Sequence, residues 1–264
     1  MAARCEIEPD FAAPLAQAKL VRARDFLALR GGEVVARSRT TSTTRHSAGG
    51  RRFYLKRYLF PTGRDRRRGA FRGTFLGASK ARREWRNLGF LEDAGIAVPR
   101  RAAWGEVRRM GFVTGCFLLT EELDGARPLD QELARGRCAD LLPRAGALAA
   151  ALHSLYYIDG TLALRNLLVR PERKPESLYK VDCPKGRVVR GISPSARGRD
   201  LAPLVAGTAI LCGEEGTEAL LGGYAEAAGL GDLSGIEAAA QALSARLAAR
   251  EKVRLRDAGW RGGD

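Results

Sequence analysis

No stretch of this 264-residue chain reaches the roughly 20 consecutive apolar residues that a membrane-crossing helix needs. The longest apolar runs, Ala145 to Leu152 and Leu201 to Cys212, have the length of core helices. The first ten residues carry acidic side chains and no apolar run before a small-residue cleavage site, so a cytoplasmic location is expected. Five cysteines (Cys5, Cys116, Cys138, Cys183, Cys212) are odd in number, scattered, and contain no Cys-x-x-Cys pair. Neither a disulfide framework nor a zinc ribbon fits them. With only His46 and His153, a histidine metal site or a hydrolase triad has almost no material, and ordinary structural roles are expected for both. No internal repeat is present. Zinc-finger, helix-turn-helix and RNP-type aromatic signatures are also missing, which leaves nucleic-acid binding without support beyond net charge.

What is present begins with 45% hydrophobic residues, ample for one large domain or two lobes. The net charge of +15 points to acidic partners. Between Arg51 and Arg86 thirteen Lys/Arg stand against Asp65 and Glu84, so most of the excess lies in one segment, which suits an anionic membrane or a phosphorylated glycolipid. The non-enzymatic alternative, a binder of anionic membrane or nucleic acid, rests on that charge alone.

Val34 to Ala36, the Ser/Thr-rich stretch Ser38 to Ser47, the Gly49-Gly50 turn and Arg51 to Tyr58 predict a twisted hairpin and a third strand. Alternation in that third strand puts Tyr54, Lys56 and Tyr58 on one face and Phe53, Leu55 and Arg57 on the other. Pro61 to Gly77 reads as a mobile basic loop. Ser79 then suits an N-cap for a helix to about Ala94, closed by Gly95. Its apolar stripe of Ala81, Trp85, Leu88 and Leu91 is bordered by Glu84, a carboxylate in need of a partner. Cys116 to Leu119 predicts a buried strand that leaves the core at Thr120 to Gly125. Helical patterns follow at Leu129 to Leu133 and Leu141 to Leu155, then irregular chain, then Asn166 to Val169 and Tyr179 to Asp182 as a strand pair joined by Arg170 to Ser177. Asp200 to Cys212, Thr217 to Ala228 and Gly235 to Arg256 predict further helices.

The order of chemistry-bearing residues is informative. A strand lysine, a helix glutamate 28 residues later, and then an asparagine and an aspartate flanking a short strand pair are the parts that phosphoryl transfer uses in a protein kinase. In such a kinase the lysine and glutamate position phosphates while the asparagine and aspartate hold Mg²⁺.

Phe53-Tyr-Leu-Lys-Arg-Tyr58, Ala81-Arg-Arg-Glu-Trp-Arg-Asn-Leu88, Gly95-Ile-Ala-Val-Pro99, Leu118-Leu-Thr-Glu-Glu-Leu123, Arg165-Asn-Leu-Leu-Val169 and Arg199-Asp-Leu-Ala202 together resemble the lipopolysaccharide kinase (Kdo/WaaP) family, from about Val34 to Leu230. The resemblance implies an α+β, two-lobed protein-kinase-like fold. Residues 1–122 would form an antiparallel β-sheet lobe with one helix, and residues 123–264 a larger, mainly helical lobe. It implies ATP and Mg²⁺ as cofactors and, as substrate, an acidic saccharide of the lipopolysaccharide core at the inner face of the cytoplasmic membrane. Lys56 becomes the nucleotide lysine and Glu84 its ion-pair partner. Glu121 and Leu123 belong to the hinge beside adenine, Asn166 and Asp182 are the metal ligands, and Asp200 steadies the catalytic loop. In such kinases an aspartate stands five residues before the asparagine, usually with a histidine two positions earlier. Here those positions are Thr161 and Asp159. A threonine hydroxyl is a poor base near neutral pH, so two readings stay open: a weak phosphotransferase, with Asp159 as a substitute base, or a catalytically inactive pseudokinase with a regulatory or scaffold role. A glycine-rich loop is also lacking, and Arg37 to Arg45 offers hydroxyls and arginines in its place.

Overall fold

A computed structural model describes residues 2–60, 62–65, 75–170, 177–257 and 260. The chain forms two compact units, one of Met1–Phe90 and Pro99–Leu123, the other of Leu91–Val98 and Asp124–Asp264. Most of the basic segment from Pro61 to Gly77, and residues 171–176 of the predicted strand-pair connection, lie outside the described residues.

The first unit is built on an antiparallel sheet. Its strands are β1 (Ala2–Ile7), β2 (Glu33–Arg37), β3 (Thr41–Ala48), β4 (Arg51–Leu59), β5 (Arg101–Arg109) and β6 (Phe112–Glu121), in the spatial order β1-β5-β6-β4-β3-β2. One face of β4 carries Phe53 and Leu55 into a core shared with Phe11, Leu15, Phe26 and Phe117. Phe26 stacks on Phe117 at 4.3 Å and Phe11 meets Phe53 edge-on at 5.7 Å. Each such side chain contributes about 1.5–3 kcal/mol by leaving water. The lid over this face is the N-terminal pair of helices, α1 (Pro9–Gln17) and α2 (Ala23–Ala28), which the sequence patterns had left unassigned together with β1 and β5. β5 escapes an alternation test because six successive residues, Ala102 to Val107, are buried.

On the other side of the sheet runs α3 (Lys80–Asp93). Ser79 caps it as expected, its hydroxyl accepting from the Arg82 N–H at 3.2 Å. Ala81, Trp85, Leu88 and Leu91 are buried along one stripe. The entry to α3 is tied down by Arg108, which donates to the Gly77 carbonyl at 2.5 Å and to Glu106 at 2.7 Å.

The second unit contains β7 (Arg127–Pro128), α4 (Leu129–Leu133), α5 (Cys138–Ser154), β8 (Tyr157–Ile158), β9 (Leu167–Arg170), β10 (Ser177–Lys180), β11 (Arg187–Val188), α6 (Pro194–Ala228) and α7 (Ser234–Asp257). A single 3-10 turn at Leu164–Asn166 precedes β9, so Asn166 closes that turn and Asp182 lies two residues past β10. The two helices read from Asp200 onward run on as α6, broken at Gly213, whose φ of 66° and ψ of −156° interrupt the helix. α5 and α6 touch backbone to backbone: a Cβ on Gly146 would lie 2.0 Å from the Leu220 carbonyl oxygen. That contact brings His153 and Tyr224 within hydrogen-bond reach. The same pair of helices is joined by a disulfide, Cys138 to Cys212, across a sequence separation of 74. The cysteine spacing, which fits no disulfide framework, gave no sign of this one bridge. Spacing rules for frameworks and metal sites are blind to a single bridge between distant helices. Cys5, Cys116 and Cys183 are free. Among the described residues no helix is long and apolar enough to cross a membrane.

Candidate functional site

In the first unit, β4 and α3 bring Lys56 and Glu84 together. Lys56 Nζ lies 2.9 Å from Glu84 Oε1 and 3.0 Å from Oε2, and the Tyr58 hydroxyl donates to Oε2 at 3.0 Å. Strand alternation explains the grouping, since residues 56 and 58 share the face that α3 covers. Glu84 is almost fully buried while the lysine side chain keeps 17% of its exposure, so the ammonium is the accessible end of the pair. Lys80 and Lys56 both stand over the Tyr58 ring, at 5.4 and 5.5 Å. A carboxylate buried this way is tolerated because two donors hold it and the lysine charge compensates it.

At the end of β6 the two glutamates of the predicted hinge are engaged. Glu121 accepts from Arg51 at 3.2 Å and lies 3.6 Å from Arg100, and its N–H donates to the Arg100 carbonyl. Glu122 accepts from Arg45 and Tyr54, both at 3.3 Å. Both glutamate side chains are thus held by arginines, and Leu123, two residues past β6, is half-buried.

In the second unit the loop after β8 holds Asp159, Thr161 and Asn166 in one hydrogen-bonded cluster. Asp200, from α6, accepts from the Asp159 N–H at 2.9 Å and the Gly160 N–H at 2.7 Å. Its Oδ2 also lies 3.3 Å from His153 Nε2, which donates because a carboxylate only accepts. The other ring nitrogen of His153 is 2.9 Å from the Tyr224 hydroxyl. Asp200 thus grips the backbone of the loop from beneath. Neither His153 nor Tyr224 stood out as more than a structural residue in the sequence.

Asp159, considered above as a substitute base, is fully buried and ion-paired at 3.1 Å with Lys180, itself fully buried on β10. Its Oδ1 accepts from the Thr161 N–H at 2.9 Å and from the Thr161 hydroxyl at 2.8 Å. With Oδ1 holding Thr161 and Oδ2 buried beside the Lys180 ammonium, Asp159 is placed to hold the loop and not to meet an incoming hydroxyl. Lys180 was missed in the sequence; an unpaired lysine next to the apolar Leu178-Tyr179 was the available signal.

Thr161 is half-buried, its Oγ1 also 3.0 Å from the Asp182 carbonyl oxygen. Asn166 Nδ2 donates to the Thr161 carbonyl at 2.7 Å, which orients the amide so that Oδ1 is the atom left for a cation. Asp182 has φ 57°, a left-handed conformation that is uncommon for aspartate and recurs at functional turns. An amide oxygen and a carboxylate are hard donors of the kind Mg²⁺ takes, and one or two protein ligands suffice when phosphates and water complete its shell. Among the described residues no group of three or more His, Cys, Asp or Glu forms an all-protein metal cage.

Compared with known protein families, residues 30–224 match the lipopolysaccharide kinase (Kdo/WaaP) family. No curated protein matches the sequence. Among solved structures, one described as WaaP in complex with acyl carrier protein superposes with a TM-score of 0.66, at 19% identity, over 94% of this chain and 99% of that one. At that identity the likeness shows a shared fold.

Proposed function

The chain belongs to the lipopolysaccharide kinase (Kdo/WaaP) family, and from that premise we propose that it binds ATP with Mg²⁺ and transfers phosphate slowly to a saccharide or glycolipid hydroxyl. The observation that carries this reading is the Lys56–Glu84 pair, in which a buried carboxylate holds a strand ammonium at 2.9 Å with its outer side accessible. An ammonium fixed in this way binds phosphate oxygens without having to be ordered first. The Leu123 backbone would receive the adenine edge. Asn166 and Asp182 would hold Mg²⁺, which supplies charge neutralisation on the transferring phosphoryl group when bound.

Thr161 governs the rate. Its one hydroxyl proton has two acceptors within reach, Asp159 Oδ1 at 2.8 Å and the Asp182 carbonyl at 3.0 Å, and either bond leaves an oxygen lone pair that accepts a hydrogen bond from an acceptor hydroxyl. Thr161 therefore orients the acceptor but does not take its proton, which leaves to a phosphoryl oxygen or to water. Losing a carboxylate base costs about 10²–10⁴-fold, while positioning and electrostatics persist. Asp159 and Asp200 act as positioning residues. An acidic saccharide of the lipopolysaccharide core is the acceptor that family membership favours. The cationic segment between Arg51 and Arg86 suits a peripheral position on anionic membrane at the cytoplasmic face.

The inactive-scaffold reading is favoured by the same Thr161, and one experiment separates the two. Labelled γ-phosphate transfer to a lipid-linked acidic saccharide is measured for the wild type, Lys56→Ala and Asp182→Asn. Slow transfer that both variants abolish supports the enzyme. Nucleotide binding with no transfer by the wild type supports the scaffold, and transfer untouched by either variant would sink the whole assignment. A rescue adds detail. Thr161→Asp alone places a carboxylate about 3 Å from Asp159, where like charges repel, so a gain in turnover is expected only in combination with Asp159→Asn.

A further inference from the structure

The stretch Arg37 to Arg45 is not one anion cradle, because the sheet divides it. β2 pairs Arg37 with Ser42, and β3 pairs Ser42 with Arg57 and Thr44 with Leu55. Cross-strand partners share a face, so Arg37, Ser42 and Thr44 join Arg57 on the side of β4 opposite Lys56. On that side, wholly within the first unit, lies a cavity of about 440 Å³. Arg30, Arg37, Arg39 and Arg57 line it with the hydroxyls of Ser42 and Thr44, and among the described residues no aspartate or glutamate does. Arg39 is answered from outside the cavity by Asp65 at 3.1 Å.

Arg57 is the informative member. It is half-buried, and its Nη1 donates to the Leu29 carbonyl at 2.5 Å, yet its Nε is buried with no hydrogen-bond partner among the described residues. Burial, and then the nearby charge of Arg30, pull its pKa below the usual arginine value. His46, hydrogen-bonded to Thr44 at 2.9 Å, is likewise held below its ordinary value by burial and by Arg57, so it adds no positive charge near neutral pH. A guanidinium partly withdrawn from water, with its Nε buried, carries a desolvation cost that an anion accepting its hydrogen bonds offsets. Guanidinium forks beside hydroxyl donors match the oxygens of phosphate in number and geometry.

We propose that this cavity is a second anion site, binding a phosphate group through Arg57 and Arg30 with Ser42 and Arg37 in support, on the face of the sheet away from Lys56. The group could belong to a free phosphate compound or to a lipid headgroup, since both present the same oxygens.

Thermal unfolding of the full chain tests this with inorganic phosphate against sodium chloride of equal ionic strength. The wild type should gain a Tm increment that grows with the logarithm of phosphate concentration. Arg30→Gln and Arg57→Met should each weaken the half-saturating concentration by roughly tenfold or more, the loss of a charge-assisted bond. Arg57→Met without phosphate should match or exceed the wild-type Tm, because that desolvation cost has gone. Lys56→Ala should keep the phosphate increment. An increment that survives both arginine variants, or that vanishes with Lys56→Ala alone, would overturn the site and assign the binding to the nucleotide face. So would no increment in the wild type. Dihexanoyl phosphatidic acid against dihexanoyl phosphatidylcholine then distinguishes the sources. Phosphatidic acid acting at lower concentration than inorganic phosphate identifies a lipid headgroup, and equal or weaker action identifies a soluble phosphate.

Discussion

Removing Lys180 should damage this protein more than removing almost any surface charge, and removing Lys180 and Asp159 together should damage it less. Both side chains are fully buried and 3.1 Å apart. At an effective dielectric of about 20 their attraction is roughly 5 kcal/mol. Lys180→Met leaves the buried Asp159 carboxyl with only the Thr161 donors, and Asp159→Asn leaves a buried ammonium with the Val181 carbonyl but no counter-charge. Either change should destabilise by about 3–5 kcal/mol. The double variant Asp159→Asn/Lys180→Met removes both charges and keeps the amide oxygen that accepts from Thr161, so its loss should stay under about 2 kcal/mol. The coupling between the two sites should therefore reach several kcal/mol in a double-mutant cycle. Urea unfolding followed by far-UV circular dichroism reads all four proteins. Single variants within about 1 kcal/mol of the wild type, or strictly additive losses, would refute the claim that the loop is anchored by a buried ion pair.

Other expectations come from neighbouring contacts. Asp200→Asn replaces an oxygen that receives a backbone N–H with a group that donates, so about 2–3 kcal/mol of stability should go, with hydrogen exchange at Gly160 accelerating; unchanged protection there would contradict the gripping role. Burial alone would raise the Glu106 carboxyl, but hydrogen bonds from Arg108 and Ser79 and the charges of Arg108 and Arg82 outweigh it and hold the pKa below 4.5. Its stabilisation is thus complete above that value and lost as pH falls through the lowered one, so the urea midpoints of wild type and Glu106→Gln should differ at neutral pH and converge in acid. A gap that widens in acid would reverse the sign of this argument. Reducing the Cys138–Cys212 bridge should lower stability by up to about 4 kcal/mol, from the 74-residue separation it closes, and non-reducing peptide mapping should recover the linked pair. Cys5 and Cys116, both pushed up to about 11 with burial as the largest cause, should resist alkylation at mildly alkaline pH, and rapid labelling of native protein would contradict their burial.

Much of the fold was legible because its chemistry is local. Period-2 alternation marked β4 and its two faces, and Ser79 with the Ala81 to Leu91 stripe marked α3, while the pairing of Lys56 with Glu84 came from the family resemblance. The illegible parts depend on tertiary neighbours. β1 is an edge strand whose alternation rests on only two half-buried side chains, Cys5 and Ile7, and β5 does not alternate because six successive residues are buried. The disulfide needs two helices 74 residues apart to pack at Gly146, which no motif records. Asp159 showed the same limit. The residue spacing made it a spare base, but only the burial of Lys180 reveals that it holds the loop.

In the function proposed, the Lys56–Glu84 pair and the Asn166–Asp182 loop still handle nucleotide while Thr161 slows turnover. Titration of ATP into the purified protein, with and without Mg²⁺, tests it most directly. Binding that strengthens with Mg²⁺, weakens at least tenfold in Lys56→Ala and loses its Mg²⁺ dependence in Asp182→Asn is the predicted result. Absence of Mg²⁺-dependent binding in the wild type would contradict it.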